Sequence, residues 1–534
     1  MASARAALAR PGTHWRIETA ARLALLVDGA AYFSALAAAM EQAERSIVIL
    51  GWDLRSDLLL EPESSAETLA ARLQRLVEAR AGLHVRILVW DWPMLMGAGR
   101  EVLPHWSFGP LEERLTFVLD DEIPVGGAHH EKLVVIDDRL AFVGGLDLTA
   151  GRWDTPEHHP GNLRRLELES GSDRAPFHDV MLMVEGPVAA ALGELAAERW
   201  RVATDDRLAP CGPTATDPWP EGVAADARDV PVAIARTRPK IDGLEAAREI
   251  EALYLAAIAE AQRLVYIENQ YLTVPAVARA LAGRLRAVPG LEVVIVTPQA
   301  CEGPLETAVM DAGRKKFKAT LEAAARDRVR VLTAQSHGLR VNVHAKLMAV
   351  DDRLFTVGSA NLANRSMGVD TETNLAIEWP EPELVIRGWR HRLLAEHVGR
   401  SPEEVAAVEA ELGSTIAMIE RLSDPAAAHN LAPLELDARP IPEPLSDIVD
   451  VTELADPPEP IIGAQLFADF GLPTRFRHLR RWLGRVAGIV GVAVLLAWFL
   501  GGIHMVTGWV VAAASLALVL GWAMGERPWR LERH

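Results

Sequence analysis

The chain has 534 residues, half of them apolar and 24 % charged, a globular composition in a chain too long for one hydrophobic core. Its formal net charge of −18 excludes the broadly basic surface that nucleic-acid binders use to displace phosphate counterions, so no nucleic-acid partner is expected. Cys211 and Cys301 stand far apart and outside any C-x-x-C spacing, which excludes a disulfide framework or a cysteine-ligated metal and leaves two reduced thiols.

The first fifty residues lack the shape of a signal peptide. Arg5 and Arg10 are followed by Pro11, His14, Arg16 and Glu18, and Asp28 interrupts the later apolar run, so export of this part is not expected. Residues 46–53 and 83–91 read as buried strands, and between them residues 67–81 predict a helix with Leu69, Leu73 and Leu76 on one face. That order is β-α-β, a parallel sheet under helices. Residues 205–230 are rich in Pro, Asp, Gly and Thr without apolar periodicity and read as a connection between two domains. Beyond it the plan repeats: a helix over 250–261, a strand over 264–268, a helix over 275–286 with Pro275 in its first turn, and a strand over 291–297. The fold class expected is α/β, with two similar halves at 1–204 and 231–423.

A helical stretch ends near Leu422, and residues 424–474 are Pro-rich and acidic, as in a solvated linker. Residues 486–525 carry no Asp, Glu, Lys or Arg, enough for two spans of about 20 residues turning near Gly501, Gly502 and His504. Arg475, Arg477, Arg480, Arg481 and Arg485 precede this stretch, and Arg527, Arg530 and Arg533 follow it. Residues 475–534 therefore read as a two-helix transmembrane hairpin with both ends cytoplasmic, in the inner membrane of the cell, with Trp482 and Trp529 at the interfaces.

The chemistry is carried by a motif present twice: His130, Lys132 and Asp137, and His344, Lys346 and Asp351, each spaced H-x-K-x-x-x-x-D. Each copy continues through Asp-Arg-Leu to a small-residue turn, Gly144-Gly145 and Gly358-Ser359. Residues i and i+2 of a strand share a face, so each histidine projects beside its lysine. Two lysines can stabilise the charge of a phosphodiester transition state without a metal. Two imidazoles can then divide the work, one attacking phosphorus and the other protonating the departing alkoxide. Asp137 and Asp351 are expected to hold a histidine nitrogen. Gly144 and Gly145 let backbone approach substrate, and Ser359 and Asn361 offer donors to phosphate oxygens.

This doubled motif resembles the phospholipase D superfamily, and the resemblance covers residues 47–399. Further strings carry it: Gly51-Trp52-Asp53, Phe177-His178-Asp179 leading to Glu185-Gly186-Pro187, Tyr266-Ile267-Glu268-Asn269-Gln270-Tyr271, and Gly358-Ser359-Ala360-Asn361-Leu362 continuing through Arg365-Ser366 to Glu372. The string around Glu268 is similar to that of the phosphatidylcholine-type branch. What the resemblance implies is two α/β/α halves sharing one active-site cleft and cleaving or exchanging phosphodiesters through a phosphohistidine, with no metal and no cofactor. By position His130 is then the nucleophile and His344 the general acid/base, with Glu268, Asn269 and Glu372 supporting the cleft. His178 and Asp179 are expected to brace the fold, and His129, His158 and His159 to lie at the surface. With the hairpin, the implied partners are membrane phospholipids and the lipid bilayer. A cardiolipin synthase-like phosphatidyltransferase is the nearest alternative; a nuclease or a non-catalytic lipid-binding protein stands further off.

Overall fold

The computed structural model describes residues 6–91, 108, 114–124, 127–165, 175–241, 244–301, 304–381, 383–436 and 456–459. The expected membrane hairpin at 475–534 and most of the linker before it lie outside the described residues. Among the described residues no helix is long and apolar enough to cross a membrane.

The first half runs β1 (Arg16–Val27), α1 (Asp28–Met40), β2 (Ser46–Gly51), α2 (Leu69–Ala79), β3 (His84–Trp90), β4 (Leu115–Asp120), β5 (Leu133–Ile136), β6 (Leu140–Gly144), β7 (Val180–Glu185) and α3 (Pro187–Thr204). The second half repeats it: β8 (Ala227–Arg238), α4 (Glu249–Glu260), β9 (Leu264–Asn269), α5 (Pro275–Ala287), β10 (Glu292–Val296), α6 (Pro304–Ala325), β11 (Val329–Ser336), β12 (Lys346–Val350), β13 (Leu354–Gly358), β14 (Glu372–Glu378) and α7 (Leu384–Val398). The predicted elements of both halves are present with ends shifted by a few residues. In α2 the Thr68 hydroxyl caps the first turn by accepting from the amide of Ala71, which is why the helix starts at Leu69.

Strand pairing makes the repeat explicit. The first half pairs in the order β4-β3-β2-β5-β6-β7-β1. The second follows β11-β10-β9-β12-β13-β14-β8, so each strand has a counterpart. The innermost strands, β1 and β8, pair antiparallel with each other and fuse the two sheets. β2 and β3 are parallel, and residues 47–51 of the first with Val85, Ile87, Leu88 and Val89 of the second are buried and apolar, as the centre of strands covered on both faces must be. One apolar cluster joins the halves through Leu23, Val143 and Leu182 from the first and Leu347, Val357 and Leu375 from the second. Each half keeps a second cluster of its own, around Phe33, Ile49 and Phe142 and around Tyr254, Ile267 and Met348.

Two segments differ from the sequence reading. Residues 429–433 of the supposed linker form a strand, His429–Pro433, paired antiparallel with β11. The connection after α3 contains Trp219, buried with its indole N–H on the carbonyl of Val223. Both segments give up solvation to cover apolar edges, which local composition does not reveal.

Candidate active site

Each H-x-K pair stands where its strand begins. His130 and Lys132 immediately precede β5, and His344 and Lys346 lie at the start of β12. The strand register then dictates what faces them. Gly144 pairs with Met181, and Gly358 with Asn374, so Asp179 and Glu372 occupy equivalent positions two residues before those partners. The carboxylates are exchanged between halves. Glu372 of the second half holds Nδ1 of His130 at 2.9 and 3.0 Å, and Asp179 of the first half holds Nδ1 of His344 at 2.7 Å. The backbone repeats the exchange: the His130 amide donates to Thr371 (3.1 Å) and the His344 amide to His178 (2.8 Å).

The rest of the site follows from this lattice. Lys132 Nζ lies 3.1 Å from Asp147 and donates to the His130 carbonyl at 3.0 Å. Lys346 Nζ donates to the His344 carbonyl and reaches Gln270 Oε1 at 3.4 Å. The Ser359 hydroxyl donates to Glu372 at 2.5 Å. One edge of each ring remains accessible, 14 % of the His130 side chain and 7 % of the His344 side chain. With Nδ1 occupied, Nε2 of each imidazole is the nitrogen left for chemistry.

Charge is managed by burial. His130 is held well below the ordinary imidazole value by burial first and then by Lys132. His344 is lowered likewise, by burial and then by Lys346, Arg152 and Lys132, so both motifs act on one electrostatic centre. Burial lowers the Lys346 ammonium to about 7. Glu372 is raised well above the carboxylate range by burial and by Asp370, and Asp179 is raised to about 6 by burial. Any anion placed among these groups adds negative charge and raises the proton affinity of the imidazoles.

Several expectations need correcting. Asp137 and Asp351 hold no histidine. The Asp137 carboxylate accepts from the amides of Glu44, Arg45 and Ser46 at 2.7–2.8 Å, and Asp351 from those of Gln262, Arg263 and Leu264 at 2.7–2.9 Å. Both sit at positive φ (53° and 55°) in the turn after their strand, a conformation that Asp tolerates. Glu268 is turned away from the histidine pairs: it bonds His178, His397 and Tyr266. Asn269 braces the segment that follows β13, its Oδ1 accepting from the Leu362 amide at 2.8 Å. Asn361 is buried, with Oδ1 unpartnered among the described residues. Gly144 and Gly145 face β7 closely; a Cβ on Gly145 falls 2.3 Å from the Asp179 carboxylate. His129 and His158 are buried rather than superficial, paired with Asp120 and Asp154 at 2.9 Å. Asp179, read as a brace, is the partner of His344. Its signal is the spacing from the glycine turn, which matches Glu372 only once the strands are aligned.

Family models match within each half. Residues 122–209 match a family model described as phospholipase D, and residues 254–387 one described as cardiolipin synthase, phospholipase D-like domain. Phospholipase D alpha 4 of Arabidopsis thaliana is 25 % identical over 482 residues, covering 68 % of this chain and 62 % of that protein. Phospholipase D A of Dictyostelium discoideum is 25 % identical over 461 residues, covering 71 % of this chain and 36 % of that one. The chain thus spans less than two thirds of the length of these relatives. Among solved structures, phosphatidylserine synthase from Haemophilus influenzae aligns over 79 % of this chain and 99 % of its own, at 12 % identity and a TM-score of 0.49.

Proposed function

We propose that this chain, a member of the phospholipase D superfamily, cleaves or exchanges the phosphodiester of glycerophospholipids. The observation that carries the reading is the exchanged pair of carboxylates, which orients two imidazoles beside two lysines in a single centre. Nε2 of His130 attacks phosphorus while the P–O bond to the leaving alkoxide breaks, and His344 delivers a proton to that oxygen. His344, now neutral, takes a proton from the incoming water or alcohol, whose oxygen displaces His130 and frees the diester or phosphatidic acid. Lys132 and Lys346 offset the charge on the non-bridging oxygens throughout.

The uncharged stretch at 486–525 with its arginine flanks supports a membrane anchor that keeps the catalytic halves on the cytoplasmic side, next to their substrate. Detergent-purified protein incubated with phosphatidylcholine or phosphatidylethanolamine is expected to release headgroup and phosphatidic acid, and His130→Ala and His344→Ala to abolish release. Turnover surviving both substitutions, or no turnover on any phospholipid, refutes the reading. Membrane fractionation of cells, with and without residues 475–534, tests the anchor: recovery of the full chain in the soluble fraction refutes it.

A phosphatidyltransferase acting on two phosphatidylglycerol molecules is the second reading, favoured by the description of the model matching residues 254–387. Glycerol release coupled to cardiolipin formation distinguishes it from hydrolysis.

A further inference from the structure

One residue before Asp179 the chain enters a second polar centre, largely buried and unused by the phosphodiester chemistry. Asp28 at the start of α1, His158 and His178 of the first half, and Glu396 on α7 of the second half bring one donor atom each within 4.8 Å of one another. The outer nitrogens of both histidines are already committed. His158 Nδ1 lies 2.9 Å from Asp154, a carboxylate that also accepts from Arg165 and from the Phe177 amide at 2.9 Å. His178 Nε2 lies 2.8 Å from Glu268, which also takes the Tyr266 hydroxyl and His397. These carboxylates accept, so they fix the protons on the outer nitrogens.

The inner nitrogens face carboxylates as well. His158 Nε2 faces Glu396 Oε1 at 3.1 Å, and His178 Nδ1 faces the same oxygen at 2.5 Å and Asp28 Oδ1 at 3.1 Å. Neither His178 Nδ1 nor Asp28 Oδ2 makes a hydrogen bond of acceptable geometry, and both residues are fully buried. Two carboxylates converging on two imidazole nitrogens in a buried space need positive charge among them, supplied either by protons on the imidazoles or by a cation.

We propose that Asp28, His158, His178 and Glu396 bind a divalent transition-metal ion of the zinc type. Two imidazoles and two carboxylates are a borderline-soft set that disfavours calcium and magnesium, whose ligands are oxygens. Zinc bonds of about 2.0–2.1 Å set tetrahedral ligands roughly 3.3 Å apart, so the pairs now 2.5 and 3.1 Å apart need to part by less than about 1 Å. Asp154 and Glu268 form the outer carboxylates that orient metal-binding histidines. The ion ties α1 and the His158 segment of one half to α7 of the other. It also anchors His178, whose carbonyl receives the His344 amide. Its role is structural: it fixes the register of the two halves at the general acid and leaves the phosphohistidine chemistry metal-free.

The test uses the full chain in detergent, exposed to Zn2+ alone and dialysed, with metal counted by mass spectrometry. About one ion per chain is expected, unchanged in His130→Ala and lost in His158→Gln and Glu396→Gln. Co2+ exchanged into the wild type should give the visible absorption of a tetrahedral site, a readout that needs no variant. Chelation should lower the melting temperature of the wild type. Fewer than about one ion per ten folded wild-type chains, or a stoichiometry that His158→Gln and Glu396→Gln leave intact, overturns the proposal and means that two protons hold the cluster. Metal content is measured without lipid turnover, so either idea can fail alone.

Discussion

Replacing Glu372 by glutamine should disable His130 while leaving the fold in place. The carboxylate receives His130 Nδ1 on both oxygens and the Ser359 hydroxyl on one of them. An amide of the same shape has one acceptor. If the carbonyl oxygen takes Ser359, the NH2 faces Nδ1 and forces the proton onto Nε2, the nitrogen that must attack phosphorus. Loss of the correct tautomer in a carboxylate–histidine pair costs about 10³–10⁴ in kcat, or about 4–5.5 kcal/mol of transition-state stabilisation. Asp179→Asn perturbs His344 by the same logic, but its deficit falls on protonation of the leaving group. The assay compares a phosphodiester with an alkyl leaving group and one with a p-nitrophenyl leaving group, which departs without a proton. In the first turnover, read as the burst of p-nitrophenol, Asp179→Asn should regain most of its rate on the second substrate, and Glu372→Gln should not. Equal rescue of both variants would show that the two histidines do not have the distinct roles proposed. Wild-type rates in Glu372→Gln would show that the pairing is not needed for catalysis.

Three further outcomes follow from the same contacts. Asp137→Ala removes the acceptor of three partly buried backbone amides and should cost about 1–3 kcal/mol in stability; denaturant titration should show it, while kcat per folded molecule stays within a few-fold of wild type. Gly145→Ala places a methyl group 2.3 Å from the Asp179 carboxylate, so kcat should fall by about 10²-fold through displacement of the pair holding His344, with folding monitored by circular dichroism. The pH profile of kcat/KM should fall on its alkaline side with a limb near 7 that marks loss of charge from Lys346. Lys346→Arg should abolish the alkaline limb, because arginine keeps its charge. The stability linkage has the opposite sense from the activity. A lysine lowered from 10.5 to about 7 binds fewer protons folded than unfolded between those values. Stability therefore rises with pH across that window, and below pH 7 the folded protein bears the full penalty of the buried ammonium. Thermal melts from pH 7 to 10 on wild type and Lys346→Met should converge as pH rises; parallel curves would refute this account.

The β-α-β plan and its repetition were legible because parallel strands buried on both faces must be apolar throughout, as in Ile47–Leu50 and Val293–Val296, and because helices such as Leu69–Ala79 show one apolar face. The two histidines and lysines were legible because the motif recurs whole. Its aspartates misled for a physical reason. Asp137 and Asp351 sit in left-handed turns at the far end of their strands from the histidines, where a carboxylate satisfies three amides of the neighbouring segment. Proximity in sequence therefore pointed to the wrong acid. The true partners, Glu372 and Asp179, are 242 and 165 residues from the histidines they hold. Each belongs to the half that did not supply the histidine, so neither half alone contains a competent imidazole. That dependence gives the duplication a mechanical consequence: any shift of one half against the other moves both histidines off their carboxylates together. It also explains why buried charge gathers just behind the site, where His178 spans Asp28 and Glu396 on one side and Glu268 on the other. The contacts that set the relative position of the halves and the contacts that set the tautomers are neighbours in the chain, His178 beside Asp179. A substitution in the first group should be read out at the second as a loss of kcat with little change in KM.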